Sequence, residues 1–277
     1  MSRVWFVTGS SRGLGRAIVE HALQNGDQAV ATARRPEQLA DLVEQFGESA
    51  YPIALDVADP TAVAAAVAAA VERFGRIDVV VNNAGYGDTA AVEDVTLEDF
   101  RAQIDTNFLG TVYVTKAVLP ILRQQGSGHI FQVSSIGGRL GSPGLAAYQS
   151  AKWAVGGFST VLAQEVAPLG IKVTVLEPGG MRTDWGGSSM TIPPISEPYQ
   201  QTVGAFATMI REFTGTEPTD PAKVAGLIEQ LLELPEPPVR LLVGADATGI
   251  ATDVAKALGE SDARWRELSE SVAFDPE

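Results

Sequence analysis

Seven short apolar runs recur along the chain, at Val4 to Val7, Gln28 to Ala33, Tyr51 to Leu55, Val79 to Val81, Ile130 to Val133, Lys172 to Leu176 and Arg240 to Val243. Each is nearly continuous rather than alternating, the pattern of a strand covered on both faces. Helix-length segments separate them. The clearest spans Thr61 to Phe74, where Val63, Val67, Val71 and Phe74 form one stripe and Asp59 and Pro60 mark the start. Strand alternating with helix in this way predicts an α/β chain: a single doubly wound Rossmann domain with a seven-stranded parallel sheet and helices on both faces.

The alternation fails between Pro178 and Thr219. Gly186, Gly187, Pro193, Pro194 and Pro198 punctuate a segment that also carries Trp185, Met190, Ile192, Tyr199 and Phe206. Long irregular segments in compact domains are commonly lids, so residues 178–219 are expected to form a substrate-binding lid. Residues 245–277 turn polar and helical, which predicts a C-terminal helical extension, packed on the domain or serving as an interface.

Composition narrows the function classes. The 277 residues are 45% hydrophobic and 19% charged, which excludes a disordered chain. A net charge of −14 with no basic stripe argues against a nucleic-acid partner. The lack of cysteine removes disulfides, thiolate nucleophiles and Cys-ligated metals. His21 and His129 are the only histidines and neither sits in a ligand-spaced cluster, so both are read as surface or structural residues and no metal is expected. Apolar stretches such as Val161 to Val166 are too short to span a bilayer, and the start lacks a signal-peptide layout; no membrane partner and a cytoplasmic location are expected. Trp5 and Trp153 are expected to be packing residues, and Trp185 to reach the substrate.

Three motifs carry candidate chemistry. The first strand runs into Thr8, Gly9, Ser10, Ser11, Arg12, Gly13, Leu14 and Gly15, then into a helix. Glycines there allow a tight turn and bring backbone N–H groups close to a pyrophosphate, while the positive end of the helix favours the anion. After the second strand come Arg34 and Arg35, where NAD-binding proteins of this architecture place an acid on the ribose 2′-hydroxyl; Arg34 with Arg12 would suit a 2′-phosphate instead. Tyr148 and Lys152 lie four apart near the start of a helix expected to run to about Ala167, on one face. A cation beside a phenol lowers its pKa toward the working range. Asp56 follows the third strand, where an aspartate can cap the next turn.

These residues appear in a known order. The glycine loop, Asn82 to Gly85, Asn107, the Ser134–Ser135 pair, Tyr148 with Lys152, and Pro178, Gly179 and Thr183 resemble the short-chain dehydrogenase/reductase family over about Arg3 to Val243. The resemblance implies an NADP(H)-dependent enzyme interconverting a carbonyl and an alcohol, with NAD(H) the less favoured cofactor. It makes Tyr148 the proton donor or acceptor, Lys152 its charged neighbour and ribose anchor, Ser135 rather than Ser134 the hydroxyl that orients substrate oxygen, and Asn107 the holder of a relay water, although an asparagine in a helical segment could merely bond to the backbone. It assigns Gly9, Ser11, Arg12, Gly13, Leu14, Gly15, Arg34, Asp56 with Val57, Asn83, Ala84, Gly85, Pro178, Gly179 and Thr183 to the cofactor. The sequence around Glu177 to Trp185 resembles a subgroup of little-characterised reductases. Apolar residues in the lid suggest a fairly hydrophobic small-molecule ketone or aldehyde, and the family implies a homo-oligomer, with the helices expected at Asn107 to Leu122 and Ala146 to Ala167 as candidate interfaces. The alternatives are a non-catalytic NADPH-binding regulator and an epimerase or dehydratase using the same site.

Overall fold

In the computed structural model, which describes residues 2–274, the apolar runs are the strands β1 (Val4–Val7), β2 (Gln28–Ala33), β3 (Ala50–Ala54), β4 (Val79–Asn82), β5 (Gly128–Val133), β6 (Ile171–Pro178) and β7 (Arg240–Val243). They form one parallel sheet in the order β3-β2-β1-β4-β5-β6-β7. Nine α-helices connect and cover them among the described residues: α1 (Gly13–Gln24), α2 (Ala40–Phe46), α3 (Pro60–Phe74), α4 (Leu97–Ile104), α5 (Gly110–Gln125), α6 (Ala146–Val166), α7 (Ala205–Phe213), α8 (Pro221–Glu233) and α9 (Ala245–Glu270).

Alternate strand residues feed two cores. Trp5, Val7, Ala29 and Ala31 pack with α1, α2 and α8 on one face, while Phe6, Val30 and Val80 pack with α3, α5 and α6 on the other. Local signals set the helix ends. Asp59 accepts from the N–H groups of Thr61 and Ala62, Pro60 opens α3, and Gly75 closes it with φ 77°. The strand order reverses between β1 and β4, so connections leave in opposite directions and a crevice opens at their carboxyl ends.

Several boundaries differ from those the pattern implies. Strand β5 begins at Gly128, which puts His129 inside it: the ring stacks on Phe131 at 4.0 Å, and Nε2 lies 2.9 Å from Thr174 Oγ1. Burial pushes the imidazole pKa down to about 3 and keeps it neutral. The helix expected from Asn107 is the middle of a longer run, α4 and α5 joined by a π turn at Asp105–Leu109. Trp5 is buried as expected, but Trp153 lies on the outer face of α6, 54% exposed, with its indole N–H on Leu140 O at 3.3 Å. Beyond Ala247 and Ala251, which are buried, α9 is almost wholly exposed. The last three positions of the extension expected over 245–277 lie outside the described residues.

Candidate active site

The crevice is built from main chain held by small polar side chains. Thr8 Oγ1 accepts from the N–H groups of Asn83 and Ala84, each at 3.0 Å, and Asn83 Nδ2 donates to the carbonyls of Thr8 and Gly9, also at 3.0 Å. Gly9 has φ +67°, and a Cβ there would stand 2.9 Å from the Ala84 backbone. Only glycine fits this turn. Helix α1 then starts at Gly13 with no side-chain cap from Arg12 and no acid in its first turn. Its first N–H groups and the positive end of its dipole therefore remain available. Leu14 is buried, Ser11 is half-buried, and Gly15 packs beneath the Asn83 amide. Thr183 lies against Gly13, 3.5 Å from where a Cβ would be, so the glycine loop and the chain after β6 meet. Pro178 is buried, Gly179 N donates to Val243 O at 3.0 Å, and Gly180 N donates to Asp246 Oδ2 at 2.6 Å.

At the outer end of the crevice Arg12 and Arg34 are exposed and, among the described residues, neither is paired with a carboxylate. Arg16, by contrast, is held by Glu20 and Asp41. Asp56 caps its own turn, accepting from Ala58 N at 3.0 Å, while Val57 turns inward against Gly110.

The inner end holds the side chains that the family resemblance marks as reactive. Ser135 follows β5 in extended conformation and accepts from Gly137 N at 3.0 Å; its hydroxyl lies near enough to that of Tyr148 to draw the phenol's pKa down. Ser134 does not share this position: it is buried and donates to the Lys152 carbonyl at 3.1 Å, locking the end of β5 to α6. Tyr148 and Lys152 are both buried on the first turns of α6. Lys152 Nζ donates to Val133 O at 2.8 Å and stands 5.6 Å from the centre of the Tyr148 ring. Asn107 sits in the π turn, where its side chain accepts from Tyr86 N and donates to the carbonyls of Tyr86 and Gln103. Both N–H groups of its amide are thereby taken and Oδ1 accepts one bond, while its main-chain carbonyl accepts from Thr111 Oγ1 at 3.3 Å. Gly85 brings these groups together, since a Cβ there would lie 2.5 Å from Asn107 Oδ1 and 3.5 Å from Lys152 Nζ.

One electrostatic expectation is reversed. Burial pushes the Tyr148 hydroxyl up to about 12, with the Ser135 hydroxyl working against it, and pushes Lys152 down to about 8. The ammonium is bonded to Val133 O rather than to the phenol, so desolvation outweighs charge–charge stabilisation in this state.

Trp185 covers the phenol. Its ring centre lies 5.1 Å from that of Tyr148, and Gly87 makes the approach possible: a Cβ there would be 2.8 Å from the indole and 3.1 Å from the phenol ring. Among the described residues the indole N–H is buried without a partner. Sequence reasoning missed Thr8, Gly87, Glu177 and Asp246 as parts of this site. For Glu177 there was a signal, an acid ending an otherwise apolar buried run; for the others the partner lies too far along the chain.

The crevice at the carboxyl ends of β1 and β4 thus ends in Ser135, Tyr148 and Lys152. Residues 3–191 match the short chain dehydrogenase family. An oxidoreductase named BOA17 from Botryotinia fuckeliana is 64% identical over 97% of this chain and 98% of its own. The crystal structure of a short-chain dehydrogenase from Streptomyces avermitilis is similar with a TM-score of 0.92 and 37% identity, covering 98% of each chain. A serine dehydrogenase complexed with NADP+ is similar with a TM-score of 0.75 and 28% identity, over 87% of this chain and 94% of its own. The chain belongs to the short-chain dehydrogenase family and is an oxidoreductase of that family. Among the described residues no helix is long and apolar enough to cross a membrane.

Proposed function

We propose that this protein is an NADP(H)-dependent carbonyl reductase acting on a fairly hydrophobic small molecule. The observation that carries the reading is Tyr148, buried with Lys152 one turn further along α6 and with the Ser135 hydroxyl close enough to act on its phenol. The residues fit a nicotinamide dinucleotide: the uncapped start of α1 suits its pyrophosphate, and the Gly9 turn leaves main chain where side chains would obstruct it. Solved relatives are found with either dinucleotide, so the choice of NADP(H) rests on Arg12 and Arg34, two unpaired cations on a strongly acidic protein.

When bound, the cofactor supplies the hydride. The chain's own part is to orient and protonate the substrate. Ser135 donates to the carbonyl oxygen, and Tyr148 transfers its phenolic proton to that oxygen as the carbon takes the hydride, giving the alcohol. Lys152 then faces the phenolate until solvent returns the proton. A phenol held near 12 is protonated at neutral pH, which readies Tyr148 as an acid and favours reduction. Alcohol oxidation would need the phenolate and should accelerate as pH rises.

The test is NADPH absorbance loss with acetophenone, 4-nitrobenzaldehyde and menadione, run for the native chain, Tyr148→Phe and Arg34→Asp. Tyr148→Phe should lower kcat by about 10²–10⁴-fold with little change in NADPH affinity. Arg34→Asp should move preference from NADPH toward NADH; an unmoved ratio removes the 2′-phosphate assignment. Tight NADPH binding by a native chain that reduces none of the three carbonyls would transfer the reading to a non-catalytic NADPH-binding role.

A further inference from the structure

Behind the reactive residues lies a carboxylate that the proposed mechanism does not use. Glu177 is the penultimate residue of β6, and its side chain is wholly buried. Each of its oxygens is taken by a different arginine. Oε2 accepts from Arg139 Nε at 2.9 Å and from Arg139 Nη2, and Oε1 accepts from Arg240 Nε at 3.1 Å and from Arg240 Nη2. The arginines lie 38 residues before and 63 after it, so the triad ties together segments that local structure leaves separate.

Those segments are the ones that carry the chemistry. Arg139 closes the short turn Ile136–Gly138 that follows Ser135, its N–H on Ile136 O. Arg240 opens β7, and its guanidinium lies under α6, 3.0 Å from where a Cβ of Gly156 would be, one turn beyond Lys152. The turn bearing Ser135 and the helix bearing Tyr148 therefore share a single anion as their common support. The charges do not look like a device for stability alone. Burying an ion triad gives little net stability against apolar residues of the same volume, whereas the fork of each guanidinium fixes direction as well as distance.

We propose that Glu177 is a positioning residue: through Arg139 and Arg240 it sets the Ser135 hydroxyl against that of Tyr148. The inference rests on the carbonyl-reductase reading for its kinetic consequence, but its structural consequence is readable without turnover.

Glu177→Gln removes the charge while keeping the shape. With menadione as probe, kcat should fall by about 10- to 100-fold, the scale of a small misplacement of reacting groups, while the Kd for NADPH and the KM for menadione stay within about twofold. Hydrogen exchange of the amides at 134–139 should quicken, with α1 and β1 unchanged. Glu177→Asp, which keeps the charge on a shorter arm, should recover part of both. Arg139→Met, at a side chain 33% exposed, serves if Glu177→Gln does not fold, and should quicken the same exchange and lower kcat alone. A kcat within twofold of native together with unchanged exchange at 134–139, in whichever of the two variants folds, overturns the proposal. A uniform rise in exchange across the sheet also overturns it, because the triad would then hold the fold rather than the site. If the native chain reduces no carbonyl, the functional reading fails while the exchange comparison still decides this one.

Discussion

Ser135, Tyr148 and Lys152 stand at the end of β5 and on the first turns of α6, enclosed by strands and helices; residues 181–204, which reach them through Trp185, are held mainly by polar bonds at the surface. That segment, expected from the sequence to be a lid, is tied to the loop after β4 by Thr89 N to Thr191 O at 3.0 Å, by Thr191 N to Asp88 Oδ1 at 2.8 Å, and by Tyr199 Oη to Glu93 Oε2 at 2.6 Å. Arg211 of α7 grips the same segment from the other side, donating to the carbonyls of Gly186 and Met190. The floor thus depends on burial throughout, whereas residues 181–204 combine two buried anchors, Met190 and Val203, with exchangeable polar contacts. Groups that must be placed to within a fraction of an ångström belong on the first kind of support, and a segment that has to move belongs on the second.

That contrast can be broken at the floor with the largest effect. Phe131→Ala in the centre of β5, at a side chain with no exposure, should cost about 3–5 kcal/mol in denaturant unfolding. Activity should be lost with the fold. Next comes Lys152→Met, which separates stability from function. Lys152 has its pKa pushed below the ordinary lysine value of 10.5 to about 8, so below pH 8 it is charged in folded and unfolded chains alike and burial weighs against folding in full. Between about 8 and 10.5 the unfolded chain binds the extra proton, and stability gained from this group rises with pH. The buried charge opposes folding by on the order of 3 kcal/mol at pH 7, partly offset by the bond to Val133 O. Lys152→Met should therefore be inactive, yet more stable than the native chain at pH 7, with the advantage shrinking by pH 10. A constant difference across that range would mean that the ammonium is not desolvated.

The lid should respond differently. Arg211→Ala releases three carbonyls, those of Gly186, Gly187 and Met190, on a partly exposed segment, so unfolding free energy should change by only about 1–2 kcal/mol while proteolysis within residues 183–204 quickens and the KM for a carbonyl rises several-fold. Smallest of all, Tyr199→Phe removes one exposed bond to Glu93, and the denaturant midpoint should not move measurably. A large loss there would place the lid with the floor as a rigid part of the fold.

The sheet was legible because strands buried on both faces leave an uninterrupted apolar record, and β1, β2 and β7 fall on the residues the pattern marks. The reading stopped short at β6 for a physical reason. Glu177 and Pro178 look like the end of a buried strand, since a carboxylate costs heavily in the interior unless it is paired, and its pairing lies on two distant segments. The π turn at Asp105–Leu109 was hidden as well, because nothing in the local pattern separates it from the α-helix on either side. Of the candidate site, the spacing of Tyr148 and Lys152 could be read from one helix, and the family order selected Ser135 over Ser134. What the order could not convey was the balance between burial and charge at Tyr148, which depends on where the Lys152 ammonium finds its hydrogen bond.

The central place of β1 also bears on how the chain reaches this structure. Trp5 lies beside Val79 in the sheet, although 74 residues separate them. During synthesis at about 5–20 residues per second, the first strand would wait about 4–15 s for that neighbour to be made. Its four residues, all buried in the finished sheet, are exposed for that interval, so the segment that ends beneath the glycine loop is also the one most in need of a chaperone while the protein is being born.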